Sequence, residues 1–127
     1  SHDLTNEQKS QARESLRANK FIPMPDDLKR LWAGVPPTVD LPLEILAQTR
    51  DFLASSTAPG DYVLAQGEFG LTFATVNWCA NNDRIPVYCT TQRAYECEKQ
   101  PDGTVLNRHV FRHVRYRRYF NGEGKVV

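Results

Sequence analysis

The sequence is poor in the cysteine patterns and apolar runs that identify several classes of protein. Its three cysteines, Cys79, Cys89 and Cys97, are an odd number, and no two have C-x-x-C spacing. A disulfide framework or a zinc site needs paired cysteines, so we interpret these three as reduced thiols of a cytoplasmic protein. No apolar run is long enough to span a bilayer, and the sequence therefore predicts no membrane partner.

Motifs of metal and nucleophilic chemistry are also missing. The sequence has no Walker A lysine and no G-x-S-x-G, and its acidic residues are scattered. His109 and His113 stand four residues apart in a predicted strand, where four residues span about 13 Å. That separation does not suit a single metal ion. We interpret both histidines as surface or dimer-contact residues, and we expect no metal and no cofactor.

Charge is distributed unevenly along the 127 residues. Residues 1–103 carry 10 Lys/Arg and 14 Asp/Glu, a net charge of −4, whereas residues 104–127 carry 6 Lys/Arg and one Glu, a net charge of +5. This asymmetry indicates an anionic partner at the C-terminal segment. The length predicts one domain, 1–127, with a core of its own.

Three helices are predicted in the first half of the chain. Thr5 and Gln8 match a capping box for a helix that ends near Arg17. A second helix, capped by Asp26 or Asp27, is predicted from the spacing of its apolar residues Leu28, Leu31, Trp32 and Val35. A third runs from about Pro42 to Ser55 and repeats apolar residues at helical spacing, namely Leu46, Ala47, Leu53 and Ala54.

The stretch Asp61–Thr72 is the centre of the predicted site. Tyr62–Ala65 does not alternate and predicts a strand buried on both faces, followed by a turn with Gly67 and Gly70. Such a turn at the start of a helix offers unpaired N–H groups to an anion. The alternative, a strand-to-helix turn that needs glycine for its own geometry, is about as frequent, because a short Gly-x-x-Gly is a weak signal.

The order of elements predicts an α/β fold. A helix over residues 71–81 is apolar nearly all round, so we expect another subunit to cover it. Ile85–Cys89 is the next strand, and strand–helix–strand order implies parallel strands. Gln66–Gly70 and Thr90–Arg93 each follow a strand end, so we expect them side by side, where ligands bind in parallel sheets.

A C-terminal hairpin is predicted around the turn Pro101–Gly103. Its second arm runs from Thr104 to Phe120 and, by strict alternation, has two faces. Leu106, Val110, Val114, Tyr116 and Phe120 lie on one face. Asn107, His109, Phe111, His113, Arg115, Arg117 and Tyr119 lie on the other. Arginine mixed with aromatic residues suits single-stranded nucleic acid, and a plain solvated face is equally compatible with the pattern.

The residues of the predicted pocket suit an anion. Thr72, Thr90 and Thr91 supply hydroxyls, and Arg93 can hold a phosphate with two hydrogen bonds, although it can equally pair with Glu96. Glu68 is the one carboxylate in the pocket. It suits a general base, but a carboxylate at a helix N-terminus more often serves the helix.

The ordered motifs resemble the small CRISPR-associated ring nucleases of the Csx-twenty type. The resemblance covers nearly the whole chain and rests on these pieces: Ser1-His2-x-Leu4-Thr5, Leu31-Trp32 with Pro36-Pro37, Pro59-Gly-Asp-Tyr-Val-Leu-x-Gln-Gly-Glu-Phe-Gly70, Ile85-Pro-Val-Tyr88, Thr90-Thr-x-Arg93 and His109-x-Phe-x-His-Val-Arg-Tyr-Arg117. It implies a CARF-like, Rossmann-like domain with a mostly parallel sheet flanked by helices and a hairpin extension at about 91–120.

The resemblance also implies a function. The family forms homodimers that bind cyclic tetra-adenylate across the twofold axis. They cleave it without metal into linear di-adenylates, which ends type III CRISPR antiviral signalling. The resemblance implies no DNA partner. It further implies an apolar strand ahead of Ser1-His2. No strand precedes Ser1 here, so either the sequence is incomplete at its start or the pair comes from an expression tag, which would cancel a catalytic role for His2.

Site roles follow from the resemblance and from the chemistry of RNA cleavage. A 2′-OH aligned with the adjacent phosphate can cut the chain without a metal. We expect Gln66, Gly67, Gly70, Thr72 and Arg93 to hold phosphate and Thr90 and Thr91 to position the ribose, with Ser1 also in the site. His2 or Glu68 would assist proton transfer, and adenine would rest on Phe69 or on the hairpin aromatics. The alternatives are a binder that only sequesters the ring and a single-stranded RNA-binding protein.

Overall fold

A computed structural model describes residues 3–127, and Ser1 and His2 lie outside the described residues. The helices are α1 (Asn6–Ser15), α2 (Asp26–Ala33), α3 (Leu43–Ser56) and α4 (Phe69–Asn81), and the strands are β1 (Tyr62–Leu64), β2 (Ile85–Lys99) and β3 (Val105–Arg118). None of the described helices has the length and apolarity that crossing a membrane requires.

The three strands form one mixed sheet in the order β1-β2-β3. β1 pairs in parallel with the first three residues of β2, Ile85–Val87, and α4 connects the two strands. β2 then pairs with β3 in the antiparallel sense along nearly its whole length. The predicted α/β class and the C-terminal hairpin are therefore confirmed, whereas the sheet of the described residues is mixed and not mostly parallel.

β2 is the largest departure from the prediction. It was expected to end at Cys89, ahead of a separate hairpin extension that starts at about residue 91, but the two segments are one strand that continues to Lys99. That prediction was wrong because no glycine, proline or turn pair interrupts residues 90–99, and a strand continues as long as a partner strand satisfies its backbone. The turn lies at residues 100–104, where Gln100 N donates to Thr104 O over 2.7 Å and Gly103 has a φ of +87°.

The core lies on both faces of the short parallel part of the sheet. On one face, Leu53 of α3 and Cys79 of α4 pack on Val63 of β1. Further from the sheet, α2, α3 and α4 share the cluster Leu28, Trp32, Ile45 and Leu71. On the other face, Ala12 of α1 packs on Val87 and Tyr116. β1 was predicted to be buried on both faces, but Tyr62 and Leu64 are each 37% exposed.

The helices begin close to where their capping signals predict. The capping box of Thr5 and Gln8 is formed, with Gln8 Oε1 accepting from Thr5 N at 2.8 Å. α2 has Pro25 at its N-cap in place of an aspartate, and Leu31, expected in its core face, is exposed. α3 buries Ile45, Thr49 and Leu53, so its inner face is turned from the Leu46–Ala47 face that the sequence predicted.

A β-bulge divides β3 into two parts. Thr90 pairs with Arg115 and Thr91 with His113, which leaves Val114 as the extra residue. A bulge interrupts the alternation of side chains. His113 and Tyr116 consequently lie on the same face, with ring centroids 4.9 Å apart, although strict alternation predicted opposite faces. Beyond the bulge, residues 91–113 form a two-stranded ribbon, which we call the arm.

Candidate functional site

The Gln66–Thr72 turn lies directly beside β2. Ala65 N donates to Val87 O over 2.9 Å, and the Gln66 side-chain oxygen Oε1 accepts from Cys89 N over 2.8 Å. Gln66 thus takes the place that the next residue of β1 would have in the ladder. The predicted neighbour of the turn was Thr90–Arg93, whereas the observed hydrogen bond is to Cys89, the residue before that segment.

The packing of the chain itself favours glycine at both positions of the turn. Gly67 has a φ of +148°, and a Cβ there would stand 3.1 Å from Cε3 of Trp32. A Cβ on Gly70 would stand 3.1 Å from Cδ2 of Leu41. The structure thus supports the alternative in which the glycines serve the turn. The contact of Gly70 with Leu41 also draws the N-termini of α3 and α4 to the same end of the molecule.

Glu68 is the N-cap of α4. Its Oε2 accepts from Leu71 N over 2.7 Å, so a carboxylate of the chain already satisfies one of the N–H groups at this helix terminus. Of the two roles that the sequence allowed, stabilisation of the helix is the one the structure displays. The helix begins two residues earlier than predicted because of this cap, which places Phe69 and Gly70 in its first turn.

The three predicted hydroxyls have different surroundings. Thr90 Oγ1 donates to Arg115 O and accepts from Arg115 N, both at 3.2 Å, so it closes the ladder at the bulge. Thr91 is exposed and, as the next residue of the strand, points to the other face. Thr72 Oγ1 is buried without a hydrogen-bond partner among the described residues. An unpaired buried hydroxyl is costly, and it marks the first turn of α4 as a place with spare hydrogen-bonding capacity.

Arg93 lies away from the turn within the same chain. It is four residues beyond Cys89, about 13 Å at roughly 3.3 Å per residue, and alternation places it on the opposite face from Thr90. Its backbone pairs with Phe111, and its side chain is exposed, with no ion pair or hydrogen bond within residues 3–127. The alternative pairing with Glu96 is not formed, because Glu96 contacts Arg108 and Arg112. One chain therefore does not bring Arg93 to Gln66.

Two tyrosines beside the turn were not among the predicted site residues. The Tyr119 hydroxyl donates to Ala65 O, and its ring centroid is 4.7 Å from that of Tyr88. The guanidinium of Arg117 stands 5.7 Å from the Tyr88 centroid. Burial raises the pKa of Tyr119, with a smaller contribution from Tyr88. The sequence offered one signal, the run Arg115-Tyr-Arg-Arg-Tyr119, but the register of β2 and β3 was needed to place it opposite Tyr88.

The opposite face of β2 at the same level is closed by α1. Gln8 Nε2 donates to Cys89 Sγ over 3.8 Å, and the Tyr116 hydroxyl donates to Gln8 O over 2.9 Å. Burial raises the pKa of Tyr116 to about 12 and also raises the pKa of the Cys89 thiol. Both groups stay protonated at neutral pH. A groove of about 430 Å³ lies farther along this face and is lined by Gln11, Ser15, Leu16, Tyr62, Val87, Arg115, Tyr116 and Arg118.

The remaining predicted residues are Ser1, His2 and Phe69. Ser1 and His2 lie outside the described residues. Phe69 is 91% exposed at the start of α4, which leaves its ring accessible to a base or to another chain. Within residues 3–127, no three His, Cys, Asp or Glu side chains gather as the ligands of a metal ion would.

Comparison with known proteins gives relatives along almost the whole chain. Residues 1–117 match the family described as "Uncharacterized protein MJ1673 family". The protein "Uncharacterized protein MJ1673" of Methanocaldococcus jannaschii is 39% identical over 119 residues, which is 94% of this chain and 92% of that protein. No solved structure matches the chain.

Proposed function

The chain belongs to the MJ1673 family, and we propose that it is a ring nuclease that binds cyclic tetra-adenylate and cleaves it to linear di-adenylates. The motif series described above supports this proposal, and so does the α/β fold. In the finer proposal, β1, α4 and β2 are the parallel unit of a Rossmann-like, CARF-like domain, the protein acts as a cytoplasmic homodimer, and the reaction switches off type III CRISPR signalling.

One observation carries the proposal, namely the hydrogen bond from Cys89 N to Gln66 Oε1. It fixes the Gln66–Thr72 turn at the carboxyl end of β1, against the part of β2 just beyond the parallel ladder. This is the edge at which α/β sheets bind nucleotides. Around it stand groups suited to RNA, namely the spare hydroxyl of Thr72, the Tyr88 and Tyr119 rings and the guanidinium of Arg117.

The reaction that suits these groups is an internal transesterification. The 2′-oxygen of one ribose attacks the adjacent phosphorus, the P–O5′ bond breaks, and the 5′-oxygen leaves with a proton. The product carries a 2′,3′-cyclic phosphate. The protein's contribution is to align the 2′-OH with the leaving oxygen and to stabilise the extra charge on the phosphorane.

The geometry refines the proposed roles. Glu68 is engaged with Leu71 N, so we assign it to capping α4 and leave proton transfer to His2. Thr90 holds the bulge and acts as a positioning residue for β2. Gln66, Gly67, Gly70 and Thr72 form the turn that meets the phosphate, Thr91 faces the ribose, and Arg93 stabilises the phosphorane. Phe69 is available to an adenine ring.

A second candidate is favoured by the arm. Its exposed aromatic residues Tyr95 and Phe111 are interspersed with arginines, an arrangement that stacks bases of single-stranded RNA. This candidate predicts tight, strongly salt-dependent binding to long RNA, whereas the ring nuclease prefers one small cyclic ligand. A third candidate function is sequestration of the ring without cleavage. This function predicts that cyclic tetra-adenylate binds and is recovered intact.

The test compares wild-type protein with Arg93→Ala and Gln66→Ala on labelled cyclic tetra-adenylate. We expect each variant to keep its fold, measured by circular dichroism, and to lose cleavage by about 10²-fold or more, as when one charge-stabilising group is removed from an active site. Arg50→Ala, an exposed arginine of α3, is the matched control and should keep full activity. If wild-type protein cleaved cyclic tetra-adenylate no faster than buffer alone, the proposed enzymatic activity would be refuted.

A further inference from the structure

The arm is an exposed ribbon that is anchored to the body of its own chain at His113, which contacts Gln11 and Tyr116. None of residues 91–113 belongs to the hydrophobic clusters of the described chain. Nine residues of strand extend it by about 30 Å, and a ribbon of two strands is at best marginally stable in water. Its large side chains face solvent, with Phe111 70% and Tyr95 61% exposed. The arm therefore needs a surface to lie on.

The chain carries a surface with the complementary properties, where α3 and α4 begin. Phe69 and Phe73 are four residues apart, so they form one stripe on α4, and they are 91% and 72% exposed. Leu43, at the start of α3, is 78% exposed. Isolated exposed apolar residues are ordinary, but three large ones at one end of a small protein indicate an interface.

The charges of the two surfaces also match. Asp40, Glu44 and Glu68 belong to the starts of these two helices, and within residues 3–127 none of these carboxylates pairs with a lysine or arginine. Arg93 of the arm lies on the same face as Tyr95 and Phe111 and is likewise without an ionic partner in that part of the chain. Complementary charges around apolar anchors set the register of an interface.

We propose that two copies of this chain exchange their arms. The arm face with Arg93, Tyr95 and Phe111 lies on the other copy's Phe69–Phe73 stripe, and Arg93 acts in the other copy's Gln66–Thr72 site. The contact is made twice by a twofold axis and closes a dimer. It also supplies the arginine that each chain holds about 13 Å from its own Cys89, the residue bonded to Gln66. The role of Arg93 rests on the proposed function, whereas the exchange of arms does not.

The oligomeric state tests the exchange without reference to activity. In sedimentation equilibrium we expect a wild-type dimer whose dissociation constant rises at least about tenfold in Phe111→Gln and in Phe73→Gln, because buried aromatic anchors dominate interfaces. The matched controls are Leu106→Gln, on the opposite face of the arm, and Ile22→Gln, an exposed position in the segment between α1 and α2, and both should remain dimeric. A monomeric wild type, or equal weakening in the controls, would overturn the proposal.

Cross-linking tests it in nearly unaltered protein. Native Cys97 is exposed on the arm, on the same face as Tyr95. Asn77→Cys in a Cys97→Ser background places a thiol one turn beyond Phe73. A short bis-maleimide should join this variant to wild-type chains after mixing. Asp51→Cys in the same background, an exposed position on α3, should give little product. Equal yields at the two positions would contradict the docking site.

Mixing two inactive variants tests whether Arg93 acts in the site of the other copy or in the site of its own chain. Arg93→Ala and Gln66→Ala, each inactive alone, should recover about a quarter of the wild-type sites when mixed, because each heterodimer contains one complete site. If Arg93 acted within its own chain, no site would be complete and nothing would be recovered. If wild-type protein cleaves nothing, the proposed function fails, and the oligomer and cross-linking results still decide whether arms are exchanged.

Discussion

Gly67 is the residue at which backbone and packing constraints coincide. Its φ of +148° disfavours any side chain, and a Cβ would stand only 3.1 Å from the Trp32 ring. The Trp32 ring is fixed in turn, because its Nε1 donates to Thr49 Oγ1 over 3.0 Å inside the core. The turn that holds Gln66 against β2 is thus anchored from α2 and α3.

We expect Gly67→Ala to lower the free energy of unfolding by about 1–3 kcal/mol, the cost of a residue held in a sparsely populated conformation. Urea denaturation measures it. Gly122→Ala is the control, because a Cβ there meets nothing within 4 Å and its φ is not positive, so its effect should be within about 0.5 kcal/mol of zero. Equal effects at the two positions would show that Trp32 does not enforce the turn.

Glu68 allows capping to be separated from catalysis. Glu68→Ala removes the acceptor for Leu71 N and should cost about 1 kcal/mol of stability. Glu68→Gln keeps an oxygen acceptor but cannot take up a proton at neutral pH. We expect Glu68→Gln to cleave cyclic tetra-adenylate within a few-fold of wild type. A stable Glu68→Gln protein without activity would make Glu68 the general base and contradict our assignment.

Cys79 predicts how stability depends on alkaline pH. Burial raises the pKa of this thiol from 9.0 to about 11, with Arg84 opposing the shift. Because the folded state holds the proton more tightly, the contribution is full below pH 9 and is lost as pH rises towards 11. Free energies of unfolding measured across this range should fall more steeply for wild type than for Cys79→Ala. If the free energy of unfolding fell equally with pH in the two proteins, the Cys79 thiol would make no contribution to this pH dependence.

Elements whose bounds depend on adjacent residues were predicted correctly, whereas the length of a strand that depends on its partner strand was not. The capping box of α1 and the Pro101–Gly103 turn depend on adjacent residues, and both were found close to the predicted positions. The length of β2 depends instead on its pairing with β3. The ladder partner of Val87 is Arg118, which follows it by 31 residues, so periodicity within β2 could not give its length.

In the candidate site, too, the features that depend on adjacent residues were predictable and those that depend on strand pairing were not. The Gln66–Thr72 turn was identified from its glycines, and its position beside β2 follows from the strand–helix–strand order. The capping role of Glu68 was one of two alternatives that the sequence left open. The position of Arg93 was wrong because it depended on where β2 ends. The bulge at Val114, which moves His113 and Tyr116 onto one face, has no signal in the sequence.

The arm gives a prediction at the scale of an element. If the arm is covered only in the dimer, the backbone amides of residues 91–99 should exchange with deuterium faster when the protein is diluted below its dimer dissociation constant. The amides of Ile85–Cys89, which lie in the core sheet, should keep their protection. Equal protection of the arm at all concentrations would show that it needs no partner.

For the whole molecule, the proposed exchange of arms would account for the exposed faces of both the arm and α4. In the proposed dimer, Arg93 of each arm would face the carboxylates Asp40, Glu44 and Glu68 of the other copy, and the two copies would present two equal sites to a ring of fourfold repeat. In this proposal, a small α/β core carries a turn that is fixed by Gln66, and the other copy supplies Arg93 across the twofold axis.

The most direct test of this account is the product formed from cyclic oligoadenylates of different ring size in the presence of a chelator. We predict that cyclic tetra-adenylate is converted to linear di-adenylates ending in a 2′,3′-cyclic phosphate, resolved by chromatography and mass spectrometry, and that other ring sizes react more slowly. Recovery of every ring intact, at a protein concentration above that of the ligand, would contradict the central claim.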